Sequence, residues 1–433
     1  MPTLDRRLGT TDAVVIGLSS MLGAGVFVVL GPATAAARGG VLVSLVVAAL
    51  VAWANATSTA QLAAVLPRAG GVYAYGRERL GEWPGFLAGL AFVLGKTASC
   101  AVMAGTVAAY VVPTAWHRPV AALIVVVLVA VNLAGVSRTA AAARLLLAVA
   151  VVVLVAVVVV ALRRHADTLP GDVLPHGLPG GVRGTLQGAA LLFFAFAGYA
   201  RVATLGEEVR KPRTTIPRAI RIALALVAVG YLAVAVAVLH VLGVDGAAGS
   251  RAPVLDTATA TAGWLVPAVR VAAVAAAGGA LLALLAGVSR TAFAMAREGD
   301  LPRRWAAVGG RSRAPWLAEL VVGVTVVVLT LTVDLTGVLV VSSFGVLLYY
   351  GIGHAAAWTQ PAADRLAPRW VPVVGLVGCL ALATALPGWA VATGVGVLAV
   401  GSAVRAVAVR VRRSAAGRPS RSGGDGDGAG PTR

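Results

Sequence analysis

This chain is short of charge. Of its 433 residues, 12% are Asp, Glu, Lys or Arg, about half the ~25% of an ordinary soluble domain. It is almost without lysine: among 36 Lys and Arg, the lysines are Lys96 and Lys211 alone. Its two cysteines, Cys100 and Cys379, lie in apolar runs, which reads as two small buried hydrophobes and argues against a disulfide framework. No His, Cys, Asp and Glu cluster has metal-ligand spacing, and the serines of the apolar runs have no His and Asp companions. Neither a metal, a cofactor nor enzymatic chemistry is therefore expected. No stretch is left for an appended soluble domain, which argues against a sensor. The apolar runs are also read as offering no carboxylate to a buried cation.

What is abundant is apolar sequence, 59% of the chain, with a mean hydropathy of +0.89. It comes in blocks of roughly twenty residues, the length that crosses about 30 Å of hydrocarbon. Candidate spans are 12–37, 40–66, 84–113, 118–135, 140–162, 183–208, 216–242, 261–289, 316–333, 336–358, 370–386 and 388–409, an all-α integral membrane protein of about twelve transmembrane helices. The net charge of +19 would suit nucleic acid if it were gathered on a soluble face. Instead the cations sit in alternate short connections, among them Arg68, Arg77, Arg138, Arg210, Arg303 and Arg365, so the charge reports membrane orientation, with these loops and both termini cytoplasmic. The location expected is a bacterial-type inner membrane, with no signal peptide removed. Residues 1–11 read as a cytoplasmic tail. The basic segment 410–433, rich in Arg, Ser, Gly and Asp, reads as a disordered tail whose Arg410, Arg412 and Arg413 meet anionic headgroups. The outer loop 163–182 reads as an irregular connector.

Two spans carry glycines where a helix should be continuous. Span 1 contains Ser19, Ser20, Met21, Leu22, Gly23, Ala24, Gly25, Val26 and Phe27, and span 6 contains Phe193, Phe194, Ala195, Phe196, Ala197, Gly198, Tyr199, Ala200 and Arg201. Each glycine costs a helix about 1 kcal/mol relative to Ala. One reading is a close helix–helix packing face. The other is an unwound segment whose freed backbone groups bind a ligand, and interruptions at corresponding places in two halves of a membrane chain favour it.

These residues carry a family resemblance. Gly23–Phe27 resembles the Gly-small-Gly-Ile-Phe motif of the amino acid–polyamine–organocation permeases, and Pro67–Tyr75 resembles the motif of their first inner loop. Glu207–Arg213 with Ile216 and Pro217, and Ser289–Pro302, resemble their motifs after spans 6 and 8. The resemblance covers about residues 8–360. It implies a leucine-transporter-like 5+5 inverted repeat, with repeats at 12–162 and 183–358 and additional spans at 370–409, and it implies an amino-acid carrier working by alternating access. It further implies that the N–H groups from Ser20 to Val26 hold the substrate carboxylate. Carbonyls at the breaks, around 15–19 and 194–197, would hold its ammonium group. Phe196 would then be a lid, with Gly198 letting the backbone open. The site residues expected are thus Ser19, Ser20, Leu22, Gly23, Ala24, Gly25, Val26, Phe194, Phe196 and Gly198, with Tyr199 and Arg201 as possible gates. Arg201 reads equally well as pairing with Glu207 or Glu208.

The chain departs from its relatives where a coupling ion is concerned. The place of a span 5 Lys found in some of them falls near Ala150, and span 8 has neither Ser nor Thr between 262 and 288. Sodium coupling is therefore not expected. Lys96 lies about twelve residues into span 3, roughly 18 Å deep at 1.5 Å per residue. A buried Lys can lose its proton, so proton coupling through Lys96 is the expectation, against a structural role at a helix break. His354 and His240 read as packed polar residues. With no acid at mid-depth, a small neutral amino acid is favoured over a polyamine or cationic amino acid. Symport, exchange and uniport all stay open, as does the oligomeric state.

Overall fold

An apolar run in hydrocarbon must pair its own N–H and C=O groups, and short of a closed barrel only a helix does so. The computed structural model describes residues 8–23, 25–66, 70–135, 140–164, 178–203, 209–309 and 315–416, with the backbone alone at 140–143, 164 and 412–416. The described residues are helical, and a lone parallel bridge joins Leu8 to Val209. In chain order come α1 (Thr10–Met21), α2 (Gly25–Val28), α3 (Leu30–Ala37), α4 (Val41–Val65), α5 (Val72–Leu80) and α6 (Glu82–Val111). Then follow α7 (His117–Leu133), α8 (Ala140–Arg164), α9 (Gly181–Phe196), α10 (Ala200–Ala203), α11 (Pro212–Gly249) and α12 (Pro253–Thr261). The chain ends with α13 (Val266–Ala273), α14 (Gly279–Arg297), α15 (Trp316–Thr332), α16 (Leu335–Trp358), α17 (Trp370–Ala385) and α18 (Gly388–Ala416). Ten of the helical segments are long and apolar enough to cross a membrane, and α15 and α17 are shorter apolar helices. The chain is an all-helical membrane protein.

Small residues and buried hydroxyls hold the bundle together, because lipid tails compete with any merely apolar contact. α6 and α16 pack closely along their lengths. Gly95 and Gly345 face each other there with no room for a Cβ on either, and Ser99 Oγ lies 2.8 Å from Ser342 Oγ. Ser44 on α4 donates to the Thr185 carbonyl of α9 at 2.8 Å. His354 on α16 is a packed polar residue. Its Nδ1 lies 2.9 Å from Ser58 Oγ, its Nε2 meets Asn55 Oδ1, and Cys379 Sγ shares that oxygen. Cys100 and Cys379 are both free and buried.

Four differences from the expected spans have local causes. The eighth span is not one helix: α13 passes through a π-turn at Val274–Gly278 before α14, which runs on to Arg297. The seventh continues past a kink at Gly243 (φ 67°), where a left-handed backbone suits glycine. Between them lies α12, an unanticipated short helix started by Pro253. The last helix continues to Ala416, so the tail is helical for several residues beyond 410. Residues 165–177 and 417–433 lie outside the described residues.

Asp300, from the motif after the eighth span, gathers partners from α5 and α18 at one end of the bundle. Asp300, nearly buried, accepts from Arg405 Nε at 2.7 Å, from Arg77 Nη1 at 2.8 Å and from the Tyr73 hydroxyl at 2.9 Å. Burial, and then the Asp300 carboxylate beside it, push the Tyr73 phenol up, so it remains a donor. The Arg405 guanidinium lies over the rings of Trp83 and Phe86, 4.4 and 5.0 Å from their centroids. This cluster ties α18 to α5, α6 and the end of α14. Removing one member of a buried ion pair leaves the other unpaired, at a cost of about 3 kcal/mol or more. Asp300→Asn is expected to lower the thermal midpoint in detergent accordingly. Asp364→Asn, which breaks a pair with the largely exposed Arg213, is expected to cost less than about 1 kcal/mol.

Candidate functional site

Two helical runs break inside the bundle, and the breaks face each other. The first run ends as α1 at Met21, and Leu22 caps it by donating to the Leu18 carbonyl at 2.8 Å. Helix resumes at Gly25, and Val29 N–H to Gly25 O (3.1 Å) and Ala33 N–H to Val29 O (3.0 Å) carry the ladder from α2 into α3. The second run ends as α9 at Phe196, tightens into a 3₁₀ turn over Ala197–Tyr199, and continues as α10. The glycines are needed for close approach. A Cβ on Gly198 would overlap the Ser20 carbonyl and the Met21 nitrogen, and a Cβ on Gly25 would overlap Ala195. Each break therefore packs on the helix end beside the other.

The carbonyls freed at these ends have tyrosine partners. Tyr231, on α11, directs its hydroxyl at the Met21 carbonyl (2.5 Å) and the Ala195 carbonyl (3.0 Å), so one phenol touches both breaks. Its ring meets Phe196 edge-on, with centroids 5.1 Å apart. Tyr350 donates to the Ala197 carbonyl at 3.2 Å, and Tyr110 donates to the Phe27 carbonyl at 2.7 Å.

The expected site residues cluster with one exception. Leu22, Gly23, Gly25, Val26, Phe194 and Phe196 are buried around the breaks, and Tyr199 is buried with its ring 5.2 Å from that of Tyr350. Ser20 turns back on its own helix, donating to the Ile16 carbonyl at 2.8 Å. Arg201, expected as a deep cation, is exposed instead: one residue past the turn, its side chain leaves the core. Ala24, Glu207 and Glu208 lie outside the described residues. Ser19 Oγ is buried with no hydrogen-bond partner among the described residues. It lines a cavity of about 20 Å³ with Leu22, Ala150, Ala275 and Ala276, room for about one water.

Lys96 lies apart from the breaks, 9% exposed on α6. Cys100, one turn on, lies within electrostatic reach of both Lys96 and Glu319. Glu319 corrects the expectation that the spans hold no carboxylate. It is 3% exposed in the first turn of α15 and accepts from Asn132 Nδ2 at 2.8 Å, while the same amide nitrogen lies 3.2 Å from the Leu282 carbonyl. The sequence reading missed Glu319 and Tyr231. For Tyr231 the signal was there: a hydroxyl in the middle of an apolar span must find a partner.

A vestibule of about 750 Å³ opens at the far end of α6 from Asp300. It descends to Val28, Ala101 and Leu191, and its rim carries His117, Arg118, Arg251 and Asp334. Asp334 also caps α16 by accepting from Gly337 N–H, which leaves the rim with a positive balance.

Residues 12–387 match the family described as amino acid permease. The chain is 52% identical to an uncharacterized transporter of Mycobacterium bovis, over 97% of this chain and 96% of the relative. It is 26% identical to a branched-chain amino acid permease of Bacillus subtilis, over 73% and 72% of the two chains. It is 29% identical to a vacuolar cationic amino acid transporter of Arabidopsis thaliana, over 85% of this chain and 60% of the relative.

The packing at the breaks gives a direct check. Gly25→Ala and Gly198→Ala force a methyl into a filled contact and are expected to cost about 1–3 kcal/mol, read as a lower thermal midpoint of the purified protein. Gly230→Ala, on the same α11 as Tyr231 but with nothing within 4 Å of the added Cβ, is expected to leave the midpoint unchanged or slightly raised.

Proposed function

The chain belongs to the amino acid permease family, and on that premise we propose that it is a proton-coupled secondary carrier of small neutral amino acids. A transporter of this family, not an enzyme, is the established part. The observation that carries the rest is the pair of facing breaks at Met21–Gly25 and Phe196–Ala200, where two helix ends leave backbone groups to be satisfied. In this reading the N–H groups from Gly23 to Val26, at the start of the run through α2 and α3, hold the substrate carboxylate, favoured there by the partial positive charge of a helix start. Carbonyls at the ends of α1 and α9 hold the ammonium group, and Phe196 covers the site. Residues 12–162 and 183–358 form two inverted repeats that rock against each other, with 370–409 added outside them. The protein lies in the cell inner membrane with both termini cytoplasmic, and the vestibule is its outer mouth.

Neutral cargo is supported by charge. The described residues around the breaks include no carboxylate, and the vestibule rim carries Arg118 and Arg251 against one capped acid. A cationic amino acid would meet repulsion on the way in and no counter-charge on arrival. The named relatives include carriers for branched-chain and for cationic amino acids, so the local charge is the better guide.

Proton coupling is supported by what surrounds Ser19. The small cavity there joins α1, α8 and the π-turn, and Ser19 is the one side-chain hydroxyl among the described residues that line it, few side-chain oxygens for a sodium ion, which seeks several. Lys96 is buried on α6 with Cys100 one turn on, and it can carry a proton in place of a metal ion. Uptake into proteoliposomes is expected for one or more of alanine, serine, valine and leucine, driven by an inward proton gradient and indifferent to sodium. Lys96→Met is expected to keep exchange but lose acceleration by the gradient, by about tenfold or more. Unchanged acceleration in the variant rejects Lys96 as the coupling group, and sodium-driven uptake by the wild type rejects proton coupling.

A further inference from the structure

Tyr231 has two acceptors and one proton. Its hydroxyl lies within hydrogen-bond distance of the Met21 carbonyl, the last residue of α1, and of the Ala195 carbonyl in the last turn of α9. A phenol donates once, so it serves the two carbonyls in turn or shares its single proton between them. They also sit at two helix C-termini, whose partial charges are both negative. Two converging acceptors at two negative helix ends suit a cation with several N–H donors better than they suit a neutral hydroxyl. The hydroxyl reaches them because Gly25 has no side chain: a Cβ there would lie 3.3 Å from the Tyr231 oxygen. The Phe196 ring closes the other side, edge-on to the phenol at 5.1 Å.

We propose that Tyr231 is a resident stand-in for the substrate ammonium group, pairing the carbonyls of Met21 and Ala195 in the empty carrier and yielding them when an amino acid enters. The inference rests on the reading of the chain as an amino-acid carrier and names a residue that sets its affinity and its return step. With no substrate, the phenol draws the ends of α1 and α9 together and leaves neither carbonyl wholly bare. A substrate ammonium group supplies two N–H donors to the same carbonyls, and the phenol swings out against Phe196. Substrate therefore competes with an internal hydrogen bond, which lowers its affinity and eases its release. The empty carrier, with its breaks already paired, crosses back without exposing bare carbonyls.

The test is Tyr231→Phe in the full chain. It uses whichever of L-alanine, L-serine, L-valine and L-leucine binds the wild type most tightly by calorimetry, together with the matching carboxylic acid that lacks the amine. Removing the competitor is expected to tighten the amino acid about fivefold or more, the worth of roughly one hydrogen bond, and to leave the amine-free acid unchanged. In proteoliposomes, net uptake is expected to slow relative to exchange, because only net uptake needs the empty carrier to return. Unchanged or weaker amino-acid binding, equal tightening of both ligands, or net uptake and exchange falling in step would overturn the proposal. If the Phe variant does not fold, Tyr231→Met removes the same donor and carries the same expectations. Failure of the functional reading looks different: none of the four amino acids binds or enters with the wild type, and the stand-in role falls with it.

Discussion

Hydrocarbon offers no hydrogen bonds, so every backbone group freed by a break in a membrane helix needs a partner inside the protein. That constraint organises the centre of this molecule. The ends of α1 and α9 present carbonyls, and Tyr231, Tyr350 and Tyr110 bring hydroxyls to Met21, Ala195, Ala197 and Phe27. The aromatic residues of a chain otherwise rich in Ala and Val are placed where backbone is exposed. Tyr231 meets Phe196, Tyr350 meets Phe193 and Tyr110 meets Phe27, each edge-on, so the polar repair and the apolar packing share the same side chains.

Outside that centre the bundle relies on close approach. The α6–α16 pair meets backbone to backbone at Gly95 and Gly345, with the serine pair Ser99 and Ser342 one turn on. This supplies packing and hydrogen bonds where the hydrophobic effect gives no preference between protein and lipid. An ionised cluster sits where α18 passes α5 and the end of α14, with Asp300 gathering Arg77 and Arg405.

Much of this was legible in the sequence, and the reasons differ by element. The apolar runs and their lengths follow from the thickness of the bilayer, so the spans could be read almost directly. Gly23, Gly25 and Gly198 announced the breaks because a glycine inside a membrane helix weakens it. The absence of Ser and Thr from 262–288 was equally plain. The misreadings came from residues whose meaning depends on direction. Position along the helix did not decide between the gate and the snorkelling or pairing readings of Arg201, which is exposed. Glu319, in the first turn of α15, was missed when the apolar runs were read as holding no carboxylate, yet Asn132 holds it in a buried contact. The π-turn at Val274–Gly278 lies in a run of Val, Ala and Gly with nothing in its composition to distinguish it from a straight helix.

The sequence by itself determined that the chain crosses a membrane many times, which spans are interrupted and to what family it belongs. Hydropathy, glycine placement and short motifs act through distances of a few residues, and those survive without coordinates. Only the tertiary structure decided that the two interruptions face each other, that Tyr231 bridges them from a third helix, and that Asn132 holds Glu319 in a buried contact. Each of these depends on the rotation of one helix about its axis relative to another. That angle is set by which small residues allow two backbones to meet, and it leaves no mark on the sequence of either helix alone.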